Sequence, residues 1–173
     1  NRNCYLGSIE NNNLSLPLIN ETHPINSGYA HIADKGSIKP LHIALGEVTS
    51  GNYQDDSGSI LLGNASGNAG FYDLLTGERI NHFRSTENIS LIVNSADNMK
   101  IATAADNGTV IVFDINNPSK ALLEIQSPKV DAENIIRRIN FDQKSNYLWI
   151  IHDKKTEVWD IESKQKIKQL EIP

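Results

Sequence analysis

An aromatic residue followed by aspartate recurs three times along the chain, as Tyr72-Asp73, Phe113-Asp114 and Trp159-Asp160, at spacings of 41 and 46 residues. Self-similarity on that scale limits a chain to a few repeat architectures. The surroundings of each copy narrow the choice further. The apolar run Ile89-Ser90-Leu91-Ile92-Val93 gives way to the turn Ser95-Ala96-Asp97-Asn98, then to Lys100-Ile101-Ala102-Thr103-Ala104. A second turn, Asp106-Asn107-Gly108, precedes Thr109-Val110-Ile111-Val112-Phe113-Asp114, and Asn116-Asn117-Pro118 leads to Ala121-Leu122-Leu123-Glu124-Ile125. Short apolar runs separated by Asn, Asp, Gly and Pro turns predict an antiparallel meander of four strands. No stretch carries a sustained 3.6-residue apolar period, so helix is nearly absent.

The same unit is spelled on both sides. Residues 135–141, 147–152, 156–160 and 166–172 predict four strands after it. Before it, residues 60–63, 70–73 and 79–83 predict three, with a first strand between 47 and 54. The period matches that of propeller blades, about 40 to 45 residues with four strands each.

Gly108-Thr109-Val110-Ile111-Val112-Phe113-Asp114 and Thr156-Glu157-Val158-Trp159-Asp160-Ile161 resemble the WD-repeat β-propeller family. There the last strand but one ends in Trp-Asp after a tight Asp-Gly turn. The segment from Ser95 to Lys100 is similar to the family's turn between first and second strands. The resemblance covers roughly residues 47–172. The Gly-His that often precedes a blade is missing, and the family's turn Asp falls on Ser66, Asn107 and Lys154. The resemblance therefore implies degenerate repeats, held by packing more than by that family's buried hydrogen-bond network.

The expected fold is all-β: a β-propeller segment of four-stranded antiparallel blades, three blades plus a partial fourth. Residues 47–173 form the three blades. Residues 1–46 form the partial blade and an irregular connection, with strands at 4–9 and 14–19 around the turn 10–13. A long inter-blade connection follows over 21–46, with an outer strand around 29–32. Leu61, Phe71, Ile101, Val112, Phe113, Leu148, Val158 and Trp159 are expected to form the core between blades.

Composition excludes several function classes. Hydrophobic residues are 39% and charged residues 21% of the chain, which suits a globular domain and neither a disordered tail nor a membrane-inserted chain. A net charge of −5 disfavours a nucleic-acid module. The single Cys4 excludes a disulfide framework and a thiolate metal site. The chain opens Asn1-Arg2-Asn3 without an apolar signal, as expected of a processed piece or part of a longer chain. The 20 asparagines suit tight turns, and the sequons at Asn13, Asn20, Asn64, Asn88 and Asn107 are read as accidental. An intracellular place, cytoplasmic or nuclear, is expected.

No constellation for chemistry stands out. Cys4 lacks a neighbouring base and reads as a small buried hydrophobe. His152-Asp153 closes a predicted strand, where polar turn residues belong. His23, His31, His42, His82 and His152 show no i, i+2 or i, i+4 pairing that would hold a metal. The run Asp55-Asp56-Ser57-Gly58 lacks the distal Glu of a calcium loop, and the Gly-rich stretch 63–70 opens a strand rather than the helix that a phosphate cradle needs. No catalytic residue, metal or cofactor is expected.

The expected function is a non-enzymatic scaffold or adaptor that mediates protein–protein interactions within a larger complex. Turns between second and third strands share a rim with the loops joining blades, and loops so placed are available to partners. That rim supplies the candidate partner-binding residues Arg84, Glu87, Lys129, Asp131, Glu133, Lys154 and Lys155. Additional blades are expected from further chain, a second copy or a partner protein. One alternative is a nucleic-acid-associated subunit using Lys154, Lys155, Lys164, Lys166 and Lys168, although lysines on an edge strand also block aggregation. A second alternative is a propeller enzyme.

Overall fold

The computed structural model describes residues 47–54, 58–74, 76–85, 87–126 and 135–172, together with the backbone of four strands nearer the start of the chain. Those four are β1 (Ile9–Glu10), β2 (Asn13–Leu14), β3 (Tyr29–Asp34) and β4 (Ser37–His42). β1 pairs with β2 and β3 with β4, both antiparallel. The first ladder is only two residue pairs long, Ile9 with Leu14 and Glu10 with Asn13. The rest of the expected strands 4–9 and 14–19, and Cys4, lie outside the described residues. The outer strand expected near 29–32 is instead one arm of a regular hairpin, with Pro40 opposite His31.

Three four-stranded antiparallel sheets follow, each in simple meander order. Blade A contains β5 (Val48–Gln54), β6 (Ser59–Asn64), β7 (Asn68–Asp73) and β8 (Phe83–Arg84). Blade B contains β9 (Ile89–Asn94), β10 (Lys100–Ala105), β11 (Val110–Asp114) and β12 (Asn117–Ile125). Blade C contains β13 (Ile136–Phe141), β14 (Tyr147–His152), β15 (Lys155–Asp160) and β16 (Gln165–Glu171). The described residues contain no helix, and these sheets do not close into a ring.

The recurring aspartate has a local job. Its Oδ1 accepts the backbone N–H of a turn residue after each third strand: Thr76 to Asp73, Asn116 to Asp114, Ser163 to Asp160. A side-chain acceptor there caps a turn whose amides have no ladder partner. The second-to-third-strand turns of blades A and B use a further device. Asn64 Oδ1 accepts from Ser66 and Asn68, and Asn107 Oδ1 accepts from Thr109. The turn acceptor of blade A is thus Asn64, not the Ser66 on which the resemblance places the turn Asp. The Gly-rich stretch is mostly strand: Gly63 lies in β6 and Gly70 in β7, and only residues 65–67 turn.

Side chains alternate across a strand, so a middle strand between two neighbours must be apolar on both faces. β10 and β11 meet this demand. Ile101, Ile111 and Phe113 join Leu61, Ala69, Phe71, Phe83, Ile89 and Ile92 of blades A and B. Ala102, Ala104, Val110 and Val112 point the other way, to Ile139, Leu148 and Ile150 of blade C. Phe83 and Phe113 meet across the first interface with ring centroids 5.6 Å apart. Trp159 packs half-buried against the second cluster, so it edges that core and does not fill it. Val158 is buried but belongs to the opposite face of its strand. The first strands are stapled by polar groups: Thr49 donates its hydroxyl to the Ile89 carbonyl, and Asn52 Nδ2 donates to Asn94 Oδ1 at 2.6 Å.

Outer strands depart most from expectation. β8 is two residues long, where 79–83 is the predicted span; Tyr72 and Arg79 form one further bridge. Between them the Asn81 amide oxygen replaces a main-chain carbonyl and accepts the Phe71 N–H at 2.9 Å. β12 starts at Asn117, ahead of the predicted turn's end, and tolerates Pro118 because an outer strand has a free edge.

Ile101 is fully buried and Ile80 is 60% exposed. Ile101→Ala is expected to cost about 3 kcal/mol in denaturant melts, whereas Ile80→Ala stays within about 0.5 kcal/mol. Equal losses would contradict the stacking described here.

Candidate partner-binding surfaces

The described parts of the segments leading into blades A and B share a rim with the second-to-third-strand turns, and hydrogen bonds knit them together. Ala65 N donates to Glu47 O, Ser85 N to Gly67 O at 2.8 Å, and Asp106 N to Asn88 O at 3.1 Å. Asn88 Nδ2 reinforces the last pair by donating to Asp106 Oδ2 at 2.5 Å. The segment from Ser85 to Asn88 therefore runs from the turn of blade A to the turn of blade B. Gly67 is required where it crosses: its φ is 77°, and a Cβ there would lie 2.6 Å from the Ser85 carbonyl oxygen. In blade C the same tie is ionic. Arg137 donates Nε and a terminal nitrogen to the two oxygens of Asp153, at 2.7 and 2.8 Å. That fork holds the Asp153 carboxyl below the usual carboxylate range.

The rim places the candidate residues differently from one another. Arg84 and Glu87 are exposed on it, at either end of the crossing, and Lys154 is exposed in the turn of blade C. Lys155 instead opens β15, and its ammonium lies 3.1 Å from Glu157 Oε1. Lys129, Asp131 and Glu133 lie outside the described residues.

Glu157 is a residue that sequence reading passes over. Lys155, Glu157 and Trp159 alternate along β15 and so share one face, which is the signal that could have found the group. The Trp159 indole N–H donates to Glu157 Oε2 at 3.1 Å, and Lys166 of β16 approaches Oε1 at 3.4 Å. Burial pushes the Glu157 carboxyl up, but the indole and the two ammoniums outweigh it and hold it below the ordinary glutamate value. Two of the six lysines of blade C are thus committed to an internal acid.

A second surface is the free face of blade C. Register places Ile151, Thr156 and Leu170 in one row and Trp149, Val158 and Lys168 in the next, all opposite to Leu148 and Ile150. Trp149 is 37% and Leu170 39% exposed, and Ile167 of the adjoining bulge is 54% exposed. The corresponding face of blade B carries Ala102, Ala104, Val110 and Val112 and is wholly covered by blade C. Trp149 thus stands in the middle of a sheet with its side chain partly in water. Among the described residues no three His, Cys, Asp or Glu side chains come together as a metal-binding group.

No protein-family model matches the chain. It is similar to Pre-mRNA-processing factor 19 of Dictyostelium discoideum, at 29% identity over 119 residues that cover 68% of this chain and 23% of that protein. Among solved structures it is similar to hydrazine synthase of Kuenenia stuttgartiensis, with a TM-score of 0.63 and 15% identity. That match covers 79% of this chain and 40% of the other, and at such identity it is a likeness of fold.

Glu157 supplies a pH test. Its folded-state pKa is lowered from 4.5, so its contribution is complete above that value and is lost as pH falls through the folded pKa. Glu157→Gln is expected to cost about 1 to 2 kcal/mol at pH 7. The gap to wild type, read from urea melts, should close as pH drops below 4.5. A gap that is constant with pH would mean that the carboxylate's charge plays no part.

Proposed function

We propose that this chain is a propeller scaffold of the WD-repeat kind, which holds protein partners within a larger assembly. The observation that carries the reading is the free face of blade C. A monomer gains nothing from leaving Trp149 and Leu170 in water, and burying them against a partner releases about 25 cal/mol for each Å² of apolar surface covered. The knitted rim supports it. A rim whose turns are tied by main-chain hydrogen bonds presents Arg84, Glu87 and Lys154 on a preorganised frame, which lowers the entropy lost on binding.

The likeness to the Dictyostelium protein, named for pre-mRNA processing, supports a place in a nuclear or cytoplasmic complex. The acidic net charge, and the internal use of Lys155 and Lys166, favour protein partners over nucleic acid.

A photo-crosslinking side chain at Ile167, expressed in the native source, should trap a partner protein. Trp149→Asp should abolish the product while leaving the melting temperature within a few degrees, because Trp149 is outside both core clusters. Unchanged trapping in Trp149→Asp, or none at all, would contradict the reading.

A further inference from the structure

We propose that Arg79, His82 and Arg84, on the outer margin of blade A, form a docking site for a phosphorylated segment of a partner protein. This surface is separate from the free face of blade C and does not depend on it.

The three side chains overhang a single face of β7. Asn68, Gly70 and Tyr72 alternate along that strand and share the face opposite to Ala69 and Phe71, which are in the core. Arg84 stands opposite Asn68, and Arg79 opposite Tyr72. His82 Nε2 lies 3.0 Å from Asn68 Oδ1. Between them Gly70 is buried and carries no side chain, so the three exposed basic groups stand along the margin of the face. No side chain fits at Gly70, because a Cβ there would lie 2.4 Å from the Asn81 carbonyl oxygen, and the Arg79 stem lies across the position at 3.4 Å. The shortened outer strand thus has a consequence: the Asn81 bulge gathers three basic groups within six residues.

Among the described residues neither Arg79 nor Arg84 is ion-paired, although Glu78 and Glu87 flank the group in sequence. Burial first, and then the Arg79 and Arg84 guanidiniums, hold the His82 imidazole below its ordinary pKa. Register sets Arg84 and Arg79 on the β7 face that carries Asn68, which the His82 ring meets, and Arg79 also hydrogen-bonds the Tyr72 hydroxyl.

The chemistry that suits three exposed basic groups so placed is a compact dianion. A phosphate monoester carries about −1.5 to −2 charges and three acceptor oxygens, enough to engage two guanidiniums and a protonated imidazole. The flanking glutamates and the net charge of −5 disfavour a long polyanion or an anionic membrane, each of which needs an extended basic track. A single phosphorylated side chain in a peptide fits the size of the spot. Because the ligand favours imidazolium, binding takes up a proton and weakens as pH rises through the His82 pKa of the complex.

The test is fluorescence anisotropy with a pool of phosphoserine and phosphothreonine peptides. The same pool without phosphate, inorganic phosphate and a single-stranded oligonucleotide serve as comparators. The phosphorylated pool is expected to bind, and Arg79→Met, which keeps the apolar stem over Gly70, and Arg84→Gln should each weaken binding roughly tenfold. Both variants should melt like wild type, and the His82 ring, followed by NMR, should titrate at higher pH with peptide bound. The proposal is overturned if the phosphorylated pool does not bind or binds no better than any comparator. It is equally overturned if folded variants bind like wild type or the His82 titration is unmoved.

Discussion

Every part of this structure depends on strands that are apolar on both faces. In β10 and β11 alternate residues serve two different interfaces, so one short run of sequence holds blade A on one side and blade C on the other. The two faces are complementary in size as well as polarity. Toward blade A, blade B offers Ile101, Ile111 and Phe113; toward blade C it offers the small Ala102 and Ala104, and blade C fills that space with Ile139, Leu148 and Ile150. Large-against-small packing of this kind lets sheets approach without voids, whose cost rises steeply with volume. Hydrogen bonds along the rim and the Asn52–Asn94 staple then fix the angular relation that the apolar contacts leave open.

A stack held in this way has two ends, and they differ. Ile60, Leu62 and Tyr72 are buried on the face of blade A that points away from blade B. At the other end Trp149 and Leu170 are in contact with solvent. The face that makes an interface in blade B is thus partly in water in blade C. Polar binding features lie elsewhere, on the rim and at the margin of blade A. The exposed apolar face of blade C and the charged groups of the rim and of the blade A margin are therefore spatially separate.

Much of this was legible in the sequence. The aromatic–Asp mark set the blade register, because the aspartate caps the same turn in each copy. The middle strands were legible because a strand buried on both faces reads as an unbroken apolar run, as in Thr109 to Phe113. Outer strands were not, since their exposed faces impose little pattern: the Asn81 side chain replaces a ladder carbonyl in β8 with no local sign of it. The hairpin from Tyr29 to His42 was hidden by Pro40, which reads as a breaker yet is accommodated in a two-stranded pair. Lys155 read as a rim lysine because its neighbour Lys154 is one; the pairing with Glu157 depends on which face of β15 each residue takes. Trp149 was hidden in the run Tyr147 to His152, where period alone does not say which face meets a neighbour.

Hydrogen exchange on the isolated chain tests most directly whether two-sided stacking holds the fold. Amides of β10 and β11, flanked on both faces, should exchange only through global unfolding. Those of β16, at the edge of the blade with a free face, should exchange through smaller openings and at least about tenfold faster. If β16 were as protected as β11, stability would reside within each sheet, and blade stacking would not be what holds this protein together.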